Sequence, residues 1–453
     1  MNFTYDLTNI FGRLINFGTD KEFGNIEDSG NNPLKLKKKE FIRKDGDRFM
    51  IVKYDHDIMT NDMRDKTGLF RSLIFKNGKL VVFSPPKSVM SEMFNEKIVA
   101  MKDKEAKVNI TAEEFIEGTM INLFFDRNEN RTQEEGEVQE EGDWEISTRS
   151  TVGAKMSFFR DGEESKTFRS MFLDAMIENE LEFEHLNKDY CYSFILQHPD
   201  NRIVSPIVKP QLYVAAVYKI MQTETEIKVK QILDEPDFIE KTGVRQPPLL
   251  PLSTIDQMKF EYASMNTPYD TMGFVIKENT TGLRCKYRNP GYEEVKTLRG
   301  NQPKLLYQYI SLRKLGRVGT YLKYFPEHKE EFHSMRERIH NFTTSLHNSY
   351  VGCYVMKEKP LKEFSAQFRT HMFKLHAFYL EDLRENKGKI DRAFVIQYVN
   401  ALHPAQLMFS LNFNFRKQNV DFVRKERGEP SENQEKETEK QEQIEQTVFE
   451  NGE

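Results

Sequence analysis

Short apolar and alternating runs dominate the first two thirds of this chain. Runs such as Phe49–Val52 and Leu80–Phe83 predict strands and not helices, because they are short, contain β-branched and aromatic residues, and are bounded by turn residues. Asn77-Gly78 predicts a tight hairpin turn, since both residues tolerate the positive φ that such turns need. Strands are predicted at 49–52, 69–75, 80–83, 190–196, 202–204, 210–221, 274–276 and 283–287, with a strand pair in 113–150 around a loop at 128–143.

Helical spacing of apolar residues appears at 167–179 and again after about residue 300. The later predicted helices cover 305–312, 332–347, 361–383 and 391–402. The pattern predicts an α+β protein with an N-terminal adaptor segment (1–45), a β-rich core (46–295) and a helical C-terminal domain (296–424). The insert at 128–143 and the tail at 425–453 are acidic and of low complexity, so we expect both to be mobile or disordered.

The net charge of -5 is unevenly distributed along the chain. Residues 129–145 and 428–453 each carry a net charge of -7, so the rest of the chain carries +9. A basic body with two acidic appendages is typical of a protein that meets phosphate groups, although an ordinary mixed surface would give the same totals.

Three cysteines, Cys191, Cys285 and Cys353, stand far apart without a CxxC pair. This spacing argues against a structural zinc site and against a disulfide framework, and it fits a reducing compartment. The sequence also shows no apolar run long enough to cross a bilayer and no secretory signal. We therefore expect an intracellular protein without a membrane partner.

Five segments carry the candidate chemistry. They are Phe70–Phe75 followed by Ser84-Pro85-Pro86-Lys87, Glu114–Thr119 leading into the apolar run Met120–Phe125, Tyr192–Ile195 followed by Pro199–Val204, Met272–Val275, and Leu283–Lys286. In order and spacing these segments resemble the nucleotidyltransferase core of the phage RNA ligase 1 family. The resemblance covers about residues 48–290 and implies an adenylyltransferase-like (ATP-grasp-related nucleotidyltransferase) antiparallel β core with a helical C-terminal domain.

In that family a lysine in a Lys-x-Asp/Asn-Gly motif takes up AMP covalently. This chain has Phe115 at the lysine position, Ser193 at the third motif's glutamate and Met272 at the fourth motif's glutamate. A phenyl ring cannot attack phosphorus, and a thioether is a poor ligand for a hard cation. We therefore predict no catalytic residue and no metal ligand at these positions. ATP and Mg²⁺ are expected as cofactors only if the protein is active.

The resemblance also implies a set of residues that bind nucleotide or phosphate: Arg71, Lys87, Glu117, Gly118, Arg284 and Lys286. A rival nucleophile is Lys53, because Lys53-Tyr54-Asp55-His56 matches the lysine motif except for His56 in place of glycine. Lys53 precedes the Arg71 segment, however, whereas the family's nucleophile follows it.

Three hypotheses stay open at this point. The first is a catalytically silent RNA ligase-like module, from a large DNA virus, that binds RNA ends, nucleotide or a protein. The second is an active ATP-dependent RNA ligase that uses a displaced lysine. The third is a viral structural or packaging protein that reuses the fold, in the cytoplasm or the virion.

Overall fold

A computed structural model describes residues 3–8, 36–43, 46–57, 67–127, 142–156, 166–223, 225–232, 237–385, 388–416 and 418. The chain forms two compact units, Met1–Pro303 and Lys304–Glu453. The acidic insert predicted at 128–143 lies outside the described residues except for its last two positions. The tail predicted at 425–453 and most of the adaptor segment 1–45 also lie outside them.

Within its described residues, the first unit contains three antiparallel sheets. The large sheet has the order β1-β11-β10-β9-β7-β8 and consists of Thr4–Asp6 (β1), Thr119–Arg127 (β7), Gly142–Thr148 (β8), Tyr190–Gln197 (β9), Gln211–Gln222 (β10) and Ile227–Ile232 (β11). The outer sheet joins Leu36–Ile42 (β2), Arg48–Tyr54 (β3), Leu73–Lys76 (β4) and Lys79–Phe83 (β5) in sequence order. The cleft sheet has the order β12-β6-β13-β14 and consists of Ile110–Glu114 (β6), Leu249–Leu250 (β12), Gly273–Glu278 (β13) and Leu283–Arg288 (β14).

The described part of the first unit also contains five α-helices. They are Ser91–Asp103 (α1), Phe168–Glu178 (α2), Phe238–Lys241 (α3), Ile255–Tyr262 (α4) and Pro290–Arg299 (α5). Helix α2 buries Met171, Phe172 and Met176 against one face of the large sheet, where Tyr192 and Phe194 alternate with residues that face the other way. Helices α1 and α4 similarly cover one face of the cleft sheet.

Strand β3 of the outer sheet is buried on both faces, unlike the exposed, charged strand β2. Phe49 and Ile51 pack with Phe124 and Cys191, whereas Val52 on the other face joins a different cluster that includes Tyr218 and Val229. This explains why β3 has a continuous apolar run, since a strand buried on both sides needs no polar face.

The second unit is helical in its described part. Its α-helices are Leu305–Lys314 (α6), Val318–Tyr324 (α7), Lys329–Tyr350 (α8), Ala366–Phe378 (α9), Arg392–Ala401 (α10) and Pro404–Leu411 (α11). Helix α8 buries Phe332, Ile339, Phe342 and Leu346, whose spacing of three, four and seven residues places them on one face. Helices α8 and α9 continue into π-helical segments, Val351–Val355 and Tyr379–Leu383.

The α+β class with antiparallel sheets is confirmed, and so is the Asn77-Gly78 hairpin, where the two residues have φ values of 46° and 86°. The predicted strand at 202–204 is wrong, because the Val204 amide donates to the Glu117 carboxylate and not to a neighbouring strand. The strand predicted at 69–75 begins only at Leu73. The helix predicted over 361–383 is interrupted, because the Ser365 side chain accepts from Gln367 N and begins α9 there.

None of the helices in the described ranges combines the length and the apolar character that a membrane crossing requires. The three cysteines are free thiols, two of them buried, as the sequence led us to expect.

Candidate functional site

The candidate site lies in a cleft between the large sheet and the cleft sheet. In β14, alternate residues point to opposite faces, so Cys285 and Tyr287 enter the core while Arg284, Lys286 and Arg288 share the other face. The strand register extends this face across the sheet, because Arg284 pairs with Lys277 and Lys286 pairs with Val275. The alternation therefore puts a row of cations on one wall of the cleft.

A cavity of about 260 Å³, here called the Phe115 cavity, occupies one end of this cleft. Most residues predicted from the sequence line it, and they come from the segments before β4 and β13, from the loop after β6 and from β14. The predicted residues among them are Arg71, Phe115, Glu117, Gly118, Met272, Arg284 and Lys286. Apolar side chains such as Met120, Ile195 and Val275 complete the lining.

Lys286 is the most unusual cation in this cavity. Its Nζ lies 4.3 Å from the centroid of the Phe115 ring, and it makes no hydrogen bond or ion pair with any residue that the structure describes. Burial holds the pKa of Lys286 well below its usual value, and the positive charges of Arg284, Arg71 and Arg288 lower it further. Such an amine lacks the anion that a buried ammonium normally requires.

Arg71 is in a similar position. Burial lowers the pKa of Arg71 to about 10, and the nearby Arg284 guanidinium also lowers it. The Arg71 side chain has no hydrogen bond to a described residue, although its main-chain oxygen accepts one from Arg149 Nε. Neither cation forms an ion pair with a described carboxylate, although Glu113 also lines the cavity and partly offsets the positive charge around Lys286. The excess of positive charge makes the cavity complementary to an anion.

Arg284 stands between the Phe115 cavity and a second cavity. One of its terminal nitrogens donates to the carbonyl oxygens of Pro85, at 3.1 Å, and Pro86. Its Nε is buried without a hydrogen-bond partner in the described structure. These bonds to the Pro85-Pro86 segment fix the guanidinium in the cleft.

Glu117 and Gly118 line the cavity in structural roles: the Glu117 carboxylate binds main-chain amides, and Gly118 allows a close approach of two strands. The buried Glu117 carboxylate accepts hydrogen bonds from Val204 N, at 3.1 and 3.2 Å, and from Ser205 N and Oγ. Burial raises the pKa of Tyr292 far above its usual range, and the negative charge of the nearby Glu117 raises it further. Gly118 has a φ of 154°, and a Cβ there would lie 2.6 Å from Leu196 O, so only glycine fits.

The two positions expected to carry metal-binding glutamates do not fit a metal ion. Met272 lines the Phe115 cavity with a thioether, and Ser193 is fully buried, where its Oγ donates to Asn122 Oδ1 at 2.8 Å. Glu117 is committed to the main chain of Val204 and Ser205. Among the described residues, no group of three histidine, cysteine or acidic side chains could hold a metal.

Two predicted lysines lie outside the Phe115 cavity. Lys53, on β3, donates from Nζ to Ser150 Oγ at 2.6 Å and lines neither this cavity nor the second one. Lys87 lies with its Nζ 4.6 Å from the centroid of the Tyr54 ring, and Arg149 lies at the same distance from that ring. Lys286, which the sequence marked only as a phosphate-binding residue, instead contacts the Phe115 ring.

Sequence reasoning missed further residues of the cavity. Arg288, Tyr292 and Lys296 line it, and Lys277 lines it while paired with Glu113 at 2.7 Å. The alternation Arg284-Cys285-Lys286-Tyr287-Arg288 was a usable signal for Arg288, because it places every second residue on the same face. No sequence pattern indicated Tyr292 or Lys296, which follow on α5.

The second cavity, here called the Tyr218 cavity, has a volume of about 500 Å³. It shares Glu113, Ala215, Lys277 and Arg284 with the Phe115 cavity, so the two are neighbours along one cleft. Its remaining walls come from β1, β10 and β11 on one side and from the cleft sheet on the other.

Comparison with known sequences gives two relatives. The immediate-early protein ICP-46 homolog of Invertebrate iridescent virus 6 is 22% identical over 348 residues, which cover 73% of this chain and 72% of that protein. An RNA ligase of Rhodothermus phage RM378 is 28% identical over 113 residues, which cover 24% of this chain and 22% of the ligase. No protein-family model matches the chain.

Among solved structures, an archaeal ATP-dependent RNA ligase gives a TM-score of 0.31 at 11% identity, over 82% of this chain and 75% of that one. A mutant of Naegleria gruberi RNA ligase with ATP and manganese gives 0.28 at 10% identity, over 45% and 55%. Scores this low support no residue-by-residue comparison. The sequence relatives confirm the predicted resemblance: the chain is similar to a phage RNA ligase and to a viral protein.

Proposed function

We propose that the first unit is an RNA ligase-like nucleotidyltransferase module that binds the phosphate of a nucleotide or of an RNA 5′ end without transferring it. The observation that carries this proposal is the pair Arg71 and Lys286, two cations that line one cavity and have no anionic partner among the described residues. A bound phosphate would supply the missing negative charge, and hydrogen bonds to charged groups contribute about 1.5–3 kcal/mol each.

The absence of transfer follows from the residues at three positions. Phe115 has no nucleophilic atom, and neither Met272 nor Ser193 supplies a carboxylate for the metal ion that neutralises a triphosphate. A phosphate ester would therefore be held beside Lys286 without the groups that activate it. ATP would then bind as a ligand without Mg²⁺. A protein partner or a viral assembly, in the infected cell or the virion, would recognise the protein with its phosphate ligand bound.

The test is equilibrium binding of AMP and of a 5′-phosphorylated RNA oligonucleotide at low salt, where electrostatic contacts are strongest. Arg71→Ala and Lys286→Ala should each weaken binding by about tenfold or more, in proportion to one charged hydrogen bond. Arg127→Ala is the matched control, because Arg127 forms an exposed ion pair with Asp189 away from the cavity. Absence of binding by the wild-type protein, or equal affinity in all variants, would contradict the proposal.

A second candidate function is nucleotidyl transfer by a displaced lysine, and the position of Lys286 beside Phe115 favours it over Lys53. In this reaction the neutral Nζ would attack the α-phosphorus of ATP, a P–N bond would form, the P–O bond to pyrophosphate would break, and Nζ would lose a proton. Incubation with α-labelled ATP distinguishes the two functions. We expect no covalent label. A label that Lys286→Ala removes and Lys53→Ala retains would replace the binding function with this one.

A further inference from the structure

We propose that the Tyr218 cavity binds a nucleoside, so that the cleft takes two consecutive nucleotides joined by a phosphate at Arg284. This inference rests on the proposed phosphate-binding function of the Phe115 cavity and extends it to the class of ligand. The volume of about 500 Å³ lies within the range of about 300–1,000 Å³ that is usual for small-molecule sites.

The position of Arg284 connects the two cavities. It lines both of them, and its guanidinium is fixed by the carbonyl oxygens of Pro85 and Pro86. A phosphodiester at this guanidinium would have one nucleotide toward Lys286 and the next toward Tyr218. Lys286 and Arg284 on β14 could thus contact two successive phosphates of one nucleic-acid strand.

Tyr218 presents an unused polar group to the second cavity. Its side chain is only 1% exposed, and its hydroxyl makes no hydrogen bond to a residue that the structure describes. Burial raises the pKa of Tyr218 well above its usual value, so the hydroxyl stays neutral and can donate a hydrogen bond. Because Tyr218 lines the cavity, a ligand there could accept the hydrogen bond that no described residue accepts.

Amide side chains lie beside this hydroxyl. Gln231 is directly opposite Tyr218 in the register of β10 and β11, and Asn109 lies on the wall that the cleft sheet provides. Neither side-chain amide has a hydrogen bond to a described residue. An amide offers a donor and an acceptor at a fixed separation, which is the pattern that matches the edges of nucleobases.

Aromatic rings close the end of the cavity. Phe3 and Tyr5, on or beside β1, contact each other edge to face at 4.9 Å, and both line the cavity. Gly282, with a φ of 70°, lies against these rings, and a side chain there would collide with both. Rings, amides and a phosphate-binding cation are the three elements with which proteins hold single-stranded nucleotides.

The test compares AMP with the 5′-phosphorylated dinucleotide pApA on the full-length protein. We expect pApA to bind about tenfold more tightly, which is the contribution of about one stacked base. Gln231→Ala and Tyr218→Phe should each remove at least about threefold of this gain and leave the affinity for AMP unchanged. Tyr213→Phe is the control, because Tyr213 lies on the same strand but lines neither cavity.

The outcomes separate this inference from the function it rests on. Equal affinity for AMP and pApA would overturn the nucleoside site and leave phosphate binding intact. A gain that both variants retain, or an equal loss of AMP and pApA binding in variants with unchanged unfolding temperature, would also overturn it. If AMP fails to bind but pApA binds and depends on Gln231, the nucleoside site stands and the mononucleotide function falls. Binding of neither ligand overturns both.

Discussion

At the scale of single residues, the charge state of Lys286 governs the proposed site. Its ammonium is the form that binds phosphate, and its lowered pKa means that deprotonation begins at a lower pH than for an exposed lysine. The phosphate of AMP, with a second pKa of about 6, stays doubly charged at neutral and alkaline pH. Affinity must therefore fall as the pH rises through the pKa of Lys286.

This gives a pH prediction. As the pH rises through the lowered pKa of Lys286, we expect the affinity of the wild-type protein for AMP to fall by about tenfold, the effect of losing one charged hydrogen bond, at a lower pH than for an exposed lysine. Lys286→Arg should flatten the profile, because the guanidinium stays charged. Lys53→Arg is the control, since burial lowers the pKa of Lys53 as well, yet Lys53 does not line the cavity. An unchanged slope in Lys286→Arg would show that another group titrates.

A family resemblance named several residues that the fold places together. Arg71, Phe115, Glu117 and Lys286 line one cavity, whereas their binding of phosphate stays a prediction. The role of Glu117 was not visible from the motif, because its partners Val204 and Ser205 lie almost ninety positions later in the chain. Roles that depend on such distant contacts need the folded structure.

At the scale of elements, Gly118 joins the lysine-motif loop to β7 at a point of close approach. Gly118→Ala would combine the cost of a positive φ with a Cβ placed 2.6 Å from both Ile195 Cγ2 and Leu196 O. We expect the free energy of unfolding to fall by about 3 kcal/mol, from about 1–3 kcal/mol of backbone strain plus overpacking. Gly153→Ala is the control, because Gly153 has a φ of 84° but no atom nearer than 3.9 Å.

Urea unfolding followed by tryptophan fluorescence measures this difference. Trp144 is the only tryptophan of the chain and is buried in the core of the large sheet, so its emission reports on the first unit. Gly153→Ala should lose about 1 kcal/mol from strain alone. Equal losses in the two variants would mean that β9 yields to the added methyl group.

Strands were easier to predict than the connections between them. Runs such as those in β3 and β5 are short and rich in β-branched and aromatic residues, and the hairpin before β5 carries asparagine and glycine. Helix α1 was missed because only Phe94 and Ile98 are buried among its many charged residues. The prediction of a strand at 202–204 was wrong for a different reason: the Val204 amide donates to the Glu117 carboxylate and not to a neighbouring strand.

At the scale of the whole molecule, the cleft depends on two sheets that no local pattern brings together. Every residue that lines the two cavities lies between Phe3 and Lys296, within the unit Met1–Pro303. The sequence predicted a change from strands to helices near residue 300, because the apolar period changes there. It could not predict that the cation face of β14 meets Tyr218 and Gln231.

A truncated chain tests whether the first unit binds AMP without the second. A chain that ends after Pro303 should bind AMP within about twofold of the full-length protein, because every residue that lines the Phe115 cavity belongs to the first unit. The emission of Trp144 checks that the shorter chain is folded. Native emission with lost binding would mean that residues after Pro303 contribute to the site.

The two faces of β14 also bear on how such a chain varies over generations. Substitutions at Arg284, Lys286 or Arg288 change the charge of the cleft, whereas Cys285 and Tyr287 keep the core. Because cleft residues and core residues alternate along β14, substitutions on the cleft face can remove an activity without lowering the stability of the fold. A fold of this kind can persist when an activity is lost, and it can then take on another function.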